Sequence, residues 1–238
     1  MIRIILMVLR NLHHVPFEIP KLFSYAKHPE KHSLEERYAL IQKIDGYANK
    51  GGRVRIEAHG VENIPREDGF IFYPNHQGMY DVLSIIQTCP RPFSVVMKKE
   101  LSNIFFLKQI FALLESIPID REDIRQSMEV IKETAERVRQ GKNFLIFAEG
   151  TRSKDGNHPH EFKGGSFKSA VKARCPIVPV ALVDAFKPFD TNSLAPVTVK
   201  VCYLKPLYFE EYSAMKTSEI AEEVKRRIEA EIRVLTES

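Results

Sequence analysis

From Val54 to the C-terminal end, short apolar runs alternate with segments of helical periodicity, and this alternation restricts the fold more than any other feature. Val54 to Ala58, Phe70 to Tyr73, Phe93 to Met97, Ile117 to Ile119, Phe144 to Phe147, Ile177 to Leu182 and Val197 to Tyr203 read as strands. Between them lie helical stretches. Val82 to Ile86 is one, and Asp123 to Gln140 another, with Met128, Ile131, Ala135 and Val138 on one face and Gly141 as its stop. Phe167 to Lys172 is a third, and the last carries Ile220, Val224, Ile228 and Ile232 at fourfold spacing. The pattern predicts an α/β domain: a mostly parallel, twisted sheet flanked by helices. In such sheets ligands bind beyond the C-terminal ends of the strands.

Residues 1–50 read differently from 51–238. Ile2, Ile5, Leu6 and Leu9 share a helical face, and Pro16 and Pro20 interrupt the pattern. A second helix runs from Ser33 to Ala48, with Leu34, Tyr38 and Ile41 on one side and a Ser33/Glu36 capping box at its start. Up to Lys31 the cations Arg3, Arg10, Lys21, Lys27 and Lys31 face only Glu18 and Glu30. Cations beside an apolar helical face suit a membrane-surface motif. A helical pair packed on the core is the other reading, and the two are compatible. The first apolar stretch is far shorter than the ~20 residues a membrane span needs, and no small-residue cleavage site follows it. The expected location is therefore the cytoplasmic face of a membrane, peripheral or monotopic.

A net charge of +4 suits anionic surfaces and substrates. Without a long Lys/Arg run or basic–aromatic interleaving, it gives no support to nucleic-acid binding. Cys89, Cys175 and Cys202 are widely spaced, which suggests buried free thiols rather than disulfides or a nucleophile. His158-Pro159-His160-Glu161 lies in a Gly- and Pro-containing loop without a distant ligand set, so no metal site is expected.

Two constellations carry chemistry. Asn75-His76-Gln77-Gly78-Met79-Tyr80-Asp81 directly follows a strand. With His76 in the turn and Asp81 in the next helix, Asp81 can hold one imidazole nitrogen and leave the other free as a base. Phe147-Ala148-Glu149-Gly150-Thr151-Arg152-Ser153 also closes a strand, and its Arg152 offers a planar fork suited to phosphate. There is no Gly-x-Ser-x-Gly elbow, which disfavours a serine hydrolase.

Together these segments resemble the glycerolipid acyltransferase family. Its first block, Asn-His, four residues, Asp, stands here from Asn75 to Asp81, and its third block stands at 147–153 with Ala148 where the family has Pro. Lys98-Lys99-Glu100-Leu101 and Ile119-Asp120-Arg121 resemble the second block, and Pro176 to Val180 the fourth. Phe162 to Gly165 is similar to the family's Phe-x-x-Gly linker. Ser102 to Lys108 departs from the Pro and Gly usual after the second block, in a segment that shapes the acyl-chain channel in the family.

The resemblance implies an O-acyltransferase. It would move a fatty acyl group from an acyl thioester to 1-acyl-sn-glycerol 3-phosphate, giving phosphatidic acid in phospholipid synthesis. His76 and Asp81 would be catalytic, and Asn75, Lys98, Arg121, Glu149, Gly150, Thr151 and Arg152 would bind substrate. Acyl-CoA or acyl carrier protein would be the donor, with no cofactor, and membrane lipids the other partner. Glycerol 3-phosphate or another lysophospholipid is an alternative acceptor, and a non-catalytic lipid-binding protein an alternative class.

Overall fold

The computed structural model of the chain describes residues 2–237. The helices are α1 (Ile2–Arg10), α2 (Val15–Lys27), α3 (Leu34–Gly52), α4 (Asp81–Thr88), α5 (Phe105–Leu113), α6 (Ile124–Arg139), α7 (Lys168–Ala173), α8 (Lys187–Asp190), α9 (Phe209–Tyr212) and α10 (Thr217–Glu237). The strands are β1 (Val54–His59), β2 (Ile71–Pro74), β3 (Ser94–Lys98), β4 (Ile117–Ile119), β5 (Phe144–Leu145), β6 (Ile177–Val183) and β7 (Val197–Tyr203).

The strands form one sheet in the order β1-β7-β6-β2-β5-β3-β4. Every neighbouring pair is parallel except β6 and β7. The expected fold class is met, and side-chain alternation explains the layering. Phe70, just before β2, and Phe72 within it pack on one side of the sheet with Tyr38, Ile41, Ile85 and Ile86 from α3 and α4. Ile71 and Tyr73 point to the other face, with Val130 of α6 and Ile220, Val224 and Ile228 of α10. Both faces are covered, which is why the central strands are apolar throughout.

The strand expected to reach Phe147 ends at Leu145. The Ile146 amide still donates to the Phe72 carbonyl of β2, and the chain then closes a turn, with the Gly150 amide donating to the Phe147 carbonyl.

Three features of the N-terminal layer differ from the sequence pattern. Helix α2 runs through Pro20, although a proline inside a helix costs about 3 kcal/mol. Burial of Leu22 and the packing of Phe23 on Phe105 of α5 offset that cost. Helix α3 extends through Gly51 and Gly52 because α1 lies against them. A Cβ at Gly52 would stand 2.4 Å from the Met7 Cε.

The third difference concerns Arg3, which is no surface cation. It is fully buried and donates to the carbonyls of Gly52 (2.6 Å), Ser193 (2.8 Å) and Ala195 (2.9 Å). With Arg3 and Met7 turned inward, Ile2, Ile5, Val8, Leu9 and Leu12 are exposed, Ile5 and Leu9 at 60% each. Among the described residues no helix is long and apolar enough to cross a membrane.

Candidate active site

The C-terminal ends of β2, β5, β3 and β4, four neighbours in the sheet, share one edge. His76 follows β2, residues 149–152 follow β5, Lys98 ends β3, and Arg121 follows β4. The residues singled out from the sequence therefore line one rim.

Pro74 ends β2, and the chain turns through Asn75 to Gly78 before α4 begins at Asp81. Asp81 Oδ2 lies 2.7 Å from His76 Nδ1 and also accepts the Gln77 amide at 2.7 Å. The Gly78 amide reaches both Asp81 oxygens at 3.0 Å. Asp81 is fully buried. Burial pushes its carboxyl up from the ordinary value, while the His76 hydrogen bond and the two amides oppose that shift. Those bonds fix the carboxylate, and the carboxylate fixes the imidazole. The His76 ring also stacks on Phe147, with centroids 3.8 Å apart. Its Nε2 makes no hydrogen bond among the described residues, and its side chain is one-fifth exposed. The arrangement offers one free basic nitrogen at the mouth of the turn.

The second turn is locked to the first. Glu149 Oε1 accepts the His76 amide at 2.5 Å, and Oε2 accepts the His160 amide at 2.8 Å. The Ser153 amide donates to the His76 carbonyl. Burial raises the Glu149 pKa, and these two amides pull against the rise. Gly150 sits at φ +76°, a conformation that suits glycine. Thr151 is exposed. Arg152, 36% exposed, has Nη1 3.3 Å from Asp190 Oδ1.

Other expected site residues are engaged differently. The Asn75 amide is buried and exchanges two hydrogen bonds with the backbone of Leu182, which ties the end of β2 to β6. Lys98 pairs with Glu100 at 2.9 Å. At ordinary strand spacing β3, which ends in Lys98, lies about 10 Å from β2, and β4, which precedes Arg121, about 14 Å from it. No polar contact joins either to Arg152 among the described residues.

Sequence reasoning missed several supports of the turn. Gln77 bonds Asn157 Oδ1, the Gly156 carbonyl and the Ala185 amide. Asp190 meets the Met79 amide from 111 positions away. Neither contact has a local sequence signal. All three cysteines are unpaired and buried. Burial pushes their thiols up to about 12, so none offers a thiolate at neutral pH.

The acyltransferase family model matches residues 55–183, more than half of the chain. The 1-acyl-sn-glycerol-3-phosphate acyltransferase of Salmonella typhimurium is 30% identical over 180 residues, covering 75% of this chain and 73% of that one. The chloroplastic enzyme of that name from Brassica napus is 29% identical over 209 residues, 86% of this chain and 57% of its own length. The chain thus spans little more than half the length of that plant relative and of its Arabidopsis thaliana counterpart. The crystal structure of the 1-acyl-sn-glycerophosphate acyltransferase of Thermotoga maritima has the same fold. Its TM-score is 0.79 across 99% of this chain and 97% of that one, at 22% identity. With both turns inside the matched span, the chain belongs to the acyltransferase family.

Proposed function

We propose that the chain transfers a fatty acyl group from an acyl thioester to the free hydroxyl of 1-acyl-sn-glycerol 3-phosphate, forming phosphatidic acid. The observation that carries this is the 2.7 Å pair of His76 Nδ1 and buried Asp81, with Nε2 left unengaged. The names of the relatives supply the acceptor class.

Acyl transfer between a thioester and an alcohol needs a base and an acid, but no enzyme nucleophile. Nε2 of His76 takes the proton of the glycerol hydroxyl. The alkoxide attacks the thioester carbonyl, the C–S bond breaks, and the protonated His76 returns its proton to the departing thiolate. General acid–base help of this kind contributes roughly 10²–10⁴ in rate. Asp81 holds the tautomer and stabilises the imidazolium. Arg152 binds the acceptor's phosphate, with Lys98 and Arg121 further along the rim. Glu149 and Gly150 shape the turn that presents Thr151 and Arg152, and Asn75 acts through the strand end it secures. Acyl-CoA or acyl carrier protein serves as donor, and no cofactor enters the chemistry.

The same reading puts the N-terminal layer on the cytoplasmic face of a membrane, where a lipid acceptor resides. Its support is the exposed apolar side of α1, together with Phe17 and Phe105, each 74% exposed. Arg10, Lys21, Lys27 and Lys31 are exposed beside it.

The test supplies oleoyl-CoA, and in parallel oleoyl carrier protein, to the protein in detergent micelles. The acceptors are lysophosphatidate, glycerol 3-phosphate and a choline-headed lysolipid, with products identified by mass spectrometry. Phosphatidate from lysophosphatidate alone supports the proposal. Faster turnover of either other acceptor moves the substrate, and no product with any of them removes the enzymatic reading.

A further inference from the structure

The segment from Ala185 to Asp190, which follows β6 and ends in the short helix α8, meets the catalytic turn at Gln77, Gly78, Met79 and Tyr80. A Cβ at Gly78 would stand 2.4 Å from Asp190 Oδ2 and 2.9 Å from Phe186 Cα, so the two segments meet without room for a side chain. The Phe189 ring meets Tyr80 edge-on at 5.2 Å. The Ala185 amide donates to Gln77 Oε1 at 2.8 Å. Asp190 ends the helix with both carboxylate oxygens engaged. Oδ2 accepts the Met79 amide at 3.2 Å, and Oδ1 accepts Arg152 Nη1 at 3.3 Å.

We infer that Asp190 is a positioning residue for the acceptor: one oxygen is anchored on the His76 turn while the other aims the Arg152 guanidinium at the substrate phosphate. This rests on the reading of Arg152 as the phosphate ligand. The side chains of Arg152 and Asp190 are 36% and 29% exposed, and a pair so open to water adds little to folding stability. What it fixes is direction. An arginine side chain carries large rotamer freedom, and each bond that restrains it before substrate arrives reduces the ordering cost of binding. Asp190 engages one of five N–H donors, which leaves the rest of the fork for phosphate oxygens. Because its partner oxygen sits on Met79, Asp190 fixes Arg152 relative to the same turn that fixes His76. The phosphate and the hydroxyl to be acylated are thereby held in one frame.

The test measures binding of a short-chain lysophosphatidate by calorimetry to the full chain and to Asp190→Ala, Arg152→Ala and the double variant. Monoacylglycerol of the same chain length is the phosphate-free control. Asp190→Ala is expected to weaken lysophosphatidate binding by roughly fivefold to tenfold and to leave monoacylglycerol binding and Tm unchanged. In the Arg152→Ala background it is expected to add nothing, because its effect passes through Arg152. A general structural defect would instead add in both backgrounds and lower Tm. Unchanged binding in Asp190→Ala, additive losses, or tighter binding from relief of charge repulsion would each overturn the inference. So would a native chain that does not bind lysophosphatidate. Turnover measured on the same samples separates the two claims. The expected binding pattern without acyl transfer removes the enzymatic reading and leaves Asp190 in place. Transfer with Asp190→Ala binding unchanged removes Asp190 alone.

Discussion

The buried Tyr80 hydroxyl donates to Asn49 Oδ1, so the residue preceding Asp81 is tied to α3, in the N-terminal layer. The turn that carries His76 is thus held from α3 on one side and from α8, through Phe189, on another. Tyr80→Phe removes the donor and leaves the Asn49 oxygen unpaired in the core. An orphaned buried acceptor costs about 1–3 kcal/mol, so Tm is expected to fall by roughly 3–8 °C in a chain of this size. Differential scanning calorimetry of the two proteins checks this.

Asp81→Asn preserves shape but not acceptor capacity. Asp81 accepts the Gln77 and Gly78 amides while it holds His76 Nδ1. An amide in its place offers one acceptor oxygen and turns an N–H group toward the ring or toward a backbone N–H. The imidazole then loses its tautomer or its orientation. Turnover is expected to drop roughly 10³–10⁴-fold, with the KM for lysophosphatidate within about twofold of the native value. Steady-state kinetics across acceptor concentration separates the two parameters.

Asp45, in α3, supplies a pH dependence of stability. Its carboxyl is raised from 3.8 to about 7 by burial, against the opposing hydrogen bond from Asn49. Its Oδ1 has no hydrogen-bond partner among the described residues. The folded state therefore keeps a proton that the unfolded chain has lost. This group's contribution to stability is largest below pH 3.8, declines as pH rises toward 7, and is flat above that. Asp45→Asn keeps the acceptor for Asn49 and removes the titration. Its Tm is expected to exceed the native value at pH 8, with a gain of up to roughly 4 kcal/mol that shrinks toward pH 4. Thermal melts at both pH values check the sign.

The exposed side of α1 offers a separate test of the surface reading. Ile5 and Leu9 are each 60% exposed, so charging both costs the fold little. Ile5→Glu with Leu9→Glu is expected to lower binding to vesicles containing anionic phospholipid by about tenfold or more, at unchanged Tm. Vesicle flotation measures it, and equal binding by the two proteins removes α1 from the membrane contact.

What was legible in the sequence was local. The strand–helix alternation foretold the parallel sheet because each strand announces itself within its own few residues. The His76–Asp81 pair was legible because five positions separate its members and a turn lies between them. The Glu149 turn was legible as a polar cluster at a strand end, though its hold on the His76 amide was not. Other contacts depend on topology. Asp190 reaches Met79 and Arg152 because β6 lies beside β2 in the sheet, an adjacency that no periodicity encodes. Arg3 looked like a surface cation because its partners are carbonyls, which leave no mark in a charge pattern. Helix α5 gave no amphipathic signal, since Phe105, Phe106, Leu107, Ile110 and Phe111 make it apolar on most sides.

The measurement that bears most directly on the central claim is thiol release from oleoyl-CoA in the presence of lysophosphatidate, with phosphatidate quantified in the same samples, for the native chain and His76→Ala. His76 is one-fifth exposed, and the Gln77 and Gly78 amides still hold Asp81 when the imidazole is gone, so its removal should leave the chain folded. The expected result is equimolar thiol and phosphatidate from the native chain, and at least a 10²-fold loss of both in His76→Ala, in a chain that stays folded and keeps its lysophosphatidate affinity. Turnover of His76→Ala close to the native rate would contradict the account.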